Sequence, residues 1–115
     1  MPVTIYHNPR CSKSRQTLKL LEEQGVEPRV VEYLRTPPDA ETLTHLLSLL
    51  GMQARDLLRR KEAPYKELGL DDPGKGEAEI IAAMVAHPIL IERPIVVGPK
   101  GAAIGRPPEQ VLSVL

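Results

Sequence analysis

The chain opens on a short alternation of apolar and polar positions, Val3-Thr4-Ile5-Tyr6, β-branched and aromatic, that Pro9 cuts off. The period then changes. From Ser12 onward the placement of Leu18, Leu20 and Leu21 is helical, and Gly25 offers a stop. Pro28-Arg29-Val30-Val31-Glu32-Tyr33 returns to strand character, so the first third predicts strand, helix, strand, most simply a parallel βαβ unit. Thr36-Pro37-Pro38 ends it, and Thr36 or Asp39 is the candidate cap of the next helix. There Leu43, Leu46, Leu47 and Leu50 repeat at helical spacing up to Gly51. That stripe is too short for a coiled coil and predicts core packing. A further helical piece holds Leu57 and Leu58 ahead of Arg59-Arg60-Lys61. Pro64 to Leu70 predicts a loop or short turn, Asp71-Asp72-Pro73-Gly74 a breaker, and the residues from about Glu77 to His87 another helix.

The last third is different again. Ile95-Val96-Val97 is a short apolar strand bounded by Pro94 and Gly98, and Ala102-Ala103-Ile104 pairs back with it across Pro99-Lys100-Gly101 as a hairpin. Arg106-Pro107-Pro108-Glu109 starts a closing helix with Val111, Leu112 and Leu115 on its apolar side, proline being well placed in a first turn. The order is β-α-β, an all-helical stretch, then β-β-α. It predicts an α/β fold with a four-stranded mixed sheet in a thioredoxin-like layout. The whole chain, 1–115, reads as one domain with a helical insertion over roughly residues 36–90 between its βαβ and ββα halves.

Composition narrows the classes. At 115 residues the chain is long enough to bury a core without disulfides or a structural metal, and without Phe or Trp that core must be aliphatic. Lys plus Arg equals Asp plus Glu at 15 each, so charge points to no nucleic-acid partner. The single cysteine excludes an internal disulfide. His7, His45 and His87 show no ligand spacing, so no metal site is expected, and His45 and His87 are assigned no chemistry. No stretch approaches the roughly 20 apolar residues that span a bilayer, and no basic-then-apolar secretory opening is present. The expectation is a cytoplasmic protein in a reducing compartment, with no membrane partner.

Candidate chemistry gathers at Cys11, at the hinge between the first strand and the first helix. A free cysteine is ordinarily a small buried hydrophobe. Here its neighbours Arg10, Ser12, Lys13, Ser14 and Arg15 are charged or hydroxyl-bearing, a poor setting for a core residue. A thiol at a helix N-terminus faces free N–H donors and the positive end of the helix dipole, which favour thiolate and also bind oxyanions. Ser12 and Ser14 are candidates both to cap the helix and to donate to an anion. Arg59, Arg93 and Arg106 each lie where an element begins or ends, and the planar arginine fork suits tetrahedral oxyanions. Taken singly, any of them is a solvated surface charge, and spacing does not choose between Arg59 and Arg60. His7 either supports the thiolate as a nearby cation or merely ends a strand with a satisfied hydrogen bond. A thioredoxin-like layout raises the odds of a cis peptide at Arg93-Pro94, facing the cysteine.

The run Ile5-Tyr6-His7-Asn8-Pro9-Arg10-Cys11-Ser12-Lys13-Ser14-Arg15 resembles the active-site loop of the glutaredoxin-linked arsenate reductase family. The likeness continues in Leu57-Leu58-Arg59, Pro64 to Leu70, His87 to Val97 and Ile104-Gly105-Arg106-Pro107, in order along essentially the whole chain. The resemblance implies Cys11 as nucleophile and Arg59, rather than Arg60, with Arg93 and Arg106 as the oxyanion-binding set. It implies His7, Asn8 and Ser14 as thiolate-supporting neighbours, no bound cofactor, glutathione as co-substrate, glutaredoxin as partner, arsenate or a related oxyanion as substrate, and a part in arsenic detoxification. Where arsenic-resistance members carry Gly-Thr after the cysteine and a C-terminal extension, this chain has Ser12-Lys13 and ends at Leu115. Its Arg-Cys-Ser-Lys-Ser form resembles a shorter housekeeping branch.

Cysteine count constrains mechanism independently. Reducing arsenate takes two electrons, and a lone thiol that cannot form an internal disulfide needs external thiols to finish the reaction. Two other classes compete. The fold and insert resemble Spx-type regulators that bind RNA polymerase, but those carry Cys-x-x-Cys where this chain has Cys11-x-x-Ser14. A monothiol glutaredoxin-like oxidoreductase fits Cys11-x-x-Ser14 but leaves the insert and the arginine set without a purpose.

Overall fold

The computed structural model describes residues 2–115. The chain divides into two units, one formed by the chain up to Thr36 together with Arg93–Leu115, the other by Pro37–Glu92.

In the first unit, β1 (Thr4–His7) leads into α1 (Ser12–Glu23) and then β2 (Arg29–Glu32), while β3 (Ile95–Gly98) and β4 (Gly101–Ile104) form the hairpin. The sheet order is β2-β1-β3-β4. β1 pairs parallel with β2 (Ile5 opposite Val30) and antiparallel with β3 (Ile5 opposite Val96), and β3 pairs antiparallel with β4. This mixed sheet is the thioredoxin-like arrangement that the apolar pattern predicts. Val3 and Ile5, Leu21 of α1, Val96, Val111 and Val114 make its core. All are aliphatic, each worth about 1.5–3 kcal/mol when fully buried.

Helix α1 ends as its sequence suggests. Gly25 adopts φ +77°, and the N–H groups of Gly25 and Val26 close on the carbonyls of Glu22 and Leu21. Its buried face, however, is not the leucine cluster. Ser14, Thr17 and Leu21 are the buried positions, and Leu18 and Leu20 are half-buried. Close approach explains the small residue at Thr17. A Cβ on the buried Gly105 would collide with Thr17 Oγ1 and lie 2.8 Å from Pro94 Cγ, so this end of the helix has no room for a leucine.

The closing segment Pro108–Val114 is a 3₁₀ helix, not an α-helix. With three residues per turn, Pro108, Val111 and Val114 fall on one buried face, and Leu112, expected inside, is 40 % exposed.

The second unit is helical: α2 (Ala40–Leu50), a 3₁₀ turn at Ala54–Leu57, α3 (Ala63–Glu67), α4 (Glu77–Ala86) and a 3₁₀ turn at Pro88–Leu90. Asp39, not Thr36, caps α2 by accepting the Thr42 N–H at 2.8 Å, and Gly51 at φ +67° closes it. Leu43, Leu46 and Leu47 are buried, and α4 packs on α2 and on both 3₁₀ turns. The segment around Pro64, expected as loop or short turn, forms the single short helix α3. No helix among the described residues is long and apolar enough to cross a membrane.

Candidate active site

The loop between β1 and α1 is built by its own side chains. The Cys11 N–H donates to the Asn8 carbonyl at 3.0 Å, and Asn8 Oδ1 accepts the Arg10 N–H at 3.0 Å, an Asx turn that bends the chain sharply after the strand. Arg15 Nη1 reaches back to the Pro9 carbonyl at 2.9 Å. Cys11 therefore occupies the N-cap of α1 with extended backbone (φ −94°, ψ 124°), ahead of the unsatisfied N–H groups of the first turn.

Several groups converge on the sulfur of this free, half-buried cysteine. Burial pushes the thiol pKa up. The Ser14 N–H, the Arg93 side chain, the Lys13 N–H and the charge of Arg106 act against it, in that order, and together hold the thiol below its ordinary range. Arg106 Nη2 lies 3.4 Å from Sγ, and its Nε donates to the Arg93 carbonyl at 2.8 Å, which fixes the fork beside the sulfur. Arg93 is buried, and its peptide bond to Pro94 is cis, as is that between Arg106 and Pro107. The sign of the resulting pH dependence is fixed. As pH falls through the lowered pKa the thiolate protonates and reactivity is lost; as pH rises through it, reactivity appears. The rate of Cys11 carbamidomethylation against pH should show one midpoint below that of an unperturbed thiol, and a midpoint at the ordinary value would contradict this electrostatic account.

His7 and Ser14 meet in the interior. His7 Nδ1 is 2.6 Å from Ser14 Oγ, which also accepts the Asn8 N–H at 3.0 Å. Ser14 is fully buried, so its hydroxyl neither caps the helix nor faces an anion; its backbone N–H is the group that serves the thiolate. Burial, the largest influence, pushes the His7 pKa down. Glu32 opposes this and Arg15 adds to it, and the net shift is downward. Burial thus works against a charged imidazole beside the thiolate. His7 bears on the site through Ser14, by fixing the first turn of α1. Ser14→Ala strands the buried Asn8 N–H and the His7 nitrogen together and should cost about 1–3 kcal/mol in urea unfolding. An unchanged midpoint would show that the triad holds nothing in place.

Arg59 belongs to the second unit. An isolated antiparallel bridge pairs Leu58 with Ile91, with Arg59 N–H donating to the Leu90 carbonyl at 2.7 Å and Glu92 N–H to the Leu57 carbonyl at 2.9 Å. This register sets Arg59 Nη1 on Glu92 Oε1 at 2.7 Å, and Nε meets Glu62 Oε2 at 3.3 Å. Burial opposes the charge on Arg59, but the two carboxylates outweigh it and hold the pKa above the usual arginine value. Arg60 is exposed.

With Cys11, Arg59, Arg93 and Arg106 all inside the matched span, residues 6–114 correspond to the ArsC family. The chain belongs to the ArsC family. It is similar to the uncharacterized protein YfgD of Escherichia coli K12, at 62 % identity over 98 % of this chain and 96 % of that one. It is 48 % identical to an arsenate reductase of Rhizobium meliloti, over 100 % of this chain and 82 % of that one. Among solved structures, an arsenate reductase from Vibrio cholerae superposes with a TM-score of 0.97 at 54 % identity, over 100 % of this chain and 98 % of that one.

In this ArsC chain the structure groups Cys11, Arg93, Arg106, His7, Asn8 and Ser14 in the first unit, while Arg59 stands in the second with its two glutamates. Sequence reasoning missed the glutamates. Glu62 is legible as an i,i+3 partner of Arg59, whereas Glu92 depends on the Leu58–Ile91 register, which no local pattern announces. It also missed Gly105, whose lack of a side chain lets Thr17 and Pro94 close up behind the sulfur loop.

Proposed function

We propose that this ArsC-family protein is a cytoplasmic arsenate reductase of the glutathione- and glutaredoxin-dependent kind, with no bound cofactor. One observation carries the reading: a thiol held below its ordinary pKa, with the Arg106 fork 3.4 Å from the sulfur and the Arg93 side chain hydrogen-bonded to it. Such a site both supplies a nucleophile and attracts the oxyanion that the nucleophile attacks. That the Rhizobium meliloti and Vibrio cholerae relatives bear the name arsenate reductase supports the choice of oxyanion.

The Cys11 thiolate attacks arsenic, an S–As bond forms, and an arsenic-bound oxygen leaves as water after taking up protons. Arg93 and Arg106 stabilise the charge on the remaining oxygens, and Arg59 is the third oxyanion-binding arginine by family resemblance. Glutathione then adds to arsenic with loss of a second water. The glutaredoxin thiolate attacks the glutathione sulfur, and an S–S bond forms as the S–As bond breaks. The electron pair stays on arsenic, which becomes As(III). Water displaces Cys11 and arsenite departs. Arsenate and two thiols have become arsenite, a disulfide and water.

NADPH consumption in the presence of glutathione reductase tests the scheme. Oxidation should depend on arsenate, glutathione and glutaredoxin together, and consumption that persists without glutaredoxin would overturn the proposed partner.

A further inference from the structure

A second set of polar side chains lies along α1, outside the thiolate loop. Lys13, Gln16, Lys19 and Glu23 follow at steps of three and four residues, which puts them on one exposed face of the helix. Pro107 and Glu109 stand opposite, and an open groove of about 420 Å³ runs between the two walls. Both walls begin, in sequence, next to residues of the thiolate site. Lys13 is two residues beyond Cys11, and Pro107 directly follows Arg106, whose Nη2 is 3.4 Å from Sγ. From Lys13 to Glu23 the helix advances about 15 Å, enough for an extended tripeptide of about 10 Å.

We infer that this groove receives the glutathione co-substrate, an inference that rests on the reductase reading. Glutathione is a tripeptide thiol carrying two carboxylates and one ammonium group. The groove presents the complementary set: the ammonium groups of Lys13 and Lys19 for the carboxylates, and the carboxylates of Glu23 and Glu109 for the ammonium group. Neither lysine is ion-paired within the described residues, so binding breaks no existing pair. Pro107 and the half-buried Leu20 give the methylene arm of the ligand apolar surface to lie on. With the peptide so held, the glutathione thiol faces the arsenic on Cys11. Its S–H proton leaves with an arsenic-bound hydroxyl as water while the second S–As bond forms, and no electrons move until glutaredoxin arrives.

An arsenic-free reaction tests the groove by itself. Cys11 thiolate attacks glutathione disulfide, forming Cys11–S–S–glutathione and releasing glutathione thiolate; one S–S bond replaces another. The rate relative to that with neutral 2-hydroxyethyl disulfide reports recognition and cancels the thiolate fraction. Lys19 lies about 12 Å along the helix from Cys11, so Lys19→Glu acts on the ligand rather than on the sulfur. It should lower this ratio about fivefold, and Lys13→Glu with Lys19→Glu about tenfold or more, as expected for reversing exposed ion pairs. Dithiodiglycolate, a dianion without the peptide, should lose less. In the arsenate assay Lys19→Glu should raise the KM for glutathione and leave that for arsenate in place. A wild-type ratio near unity, or ratios that the reversals do not move, would overturn the groove. A ratio that falls as expected in a protein that makes no arsenite would overturn the reductase reading and leave the groove standing.

Discussion

Cys11→Ser should reduce arsenite production by about 10⁴-fold or more while the fold and the affinity for oxyanion stay nearly as they are. Serine is close to isosteric, and the cysteine is only half-buried, so little packing changes. What is lost is the nucleophile. The environment that lowers the thiol pKa, the first-turn N–H groups with Arg93 and Arg106, favours the thiolate form of a sulfur, but a hydroxyl stays protonated in it. Removing a nucleophile from a covalent mechanism typically costs several orders of magnitude, because no other group forms the intermediate. The arginines remain, so competition by an inert oxyanion should be nearly unaltered in the serine variant. Residual turnover within tenfold of wild type would mean that arsenic is not bonded to Cys11 during the reaction.

Arg106→Ala should lower kcat/KM for arsenate by about 10²–10³-fold, equivalent to about 3–4 kcal/mol, the range found when one preorganised donor to a developing oxyanion is removed. Two losses combine. The charge 3.4 Å from Sγ disappears, which moves the midpoint of Cys11 alkylation upward, and the fork that the Arg93 carbonyl orients no longer meets the oxygens on arsenic. Arg106→Lys separates them. Lysine restores charge near the sulfur and should bring the alkylation midpoint back toward wild type, but it cannot reproduce a planar fork and should recover only part of kcat/KM. Arg106 is exposed, so neither variant should be much less stable than wild type. An alkylation midpoint that moves with no change in kcat/KM would remove Arg106 from oxyanion binding and leave it as a thiolate neighbour.

How much was legible depended on the range of the interaction. The strands, the turns at Gly25 and Gly51, the hairpin and the position of Cys11 ahead of a helix are written in local periodicity and in residues with special backbone preferences, and they appear in the structure. The inner face of α1 was not legible from its leucines, because Gly105, distant in sequence, packs against Thr17 and leaves no room for a larger residue there. The final segment predicts an α-helix from its sequence and forms a 3₁₀ helix. Val111 and Leu112 look equivalent by composition, and only the three-residue period of the actual turn separates them. At the site, the loop around Cys11 announced its own chemistry through its neighbours. The downward shift of His7 did not follow from its place in the loop, since its burial sets the direction. Nor did the Glu92–Arg59 pair, which depends on a bridge between residues 33 positions apart.

The measurement that bears most directly on the central claim is the quantity of arsenite formed against NADPH consumed. It uses purified protein with arsenate, glutathione, glutaredoxin and glutathione reductase, beside Cys11→Ser. The account predicts arsenite appearing mole for mole with NADPH in the wild type and no arsenite above background in the variant. NADPH consumed without arsenite, or arsenite formed equally by the variant, would contradict it.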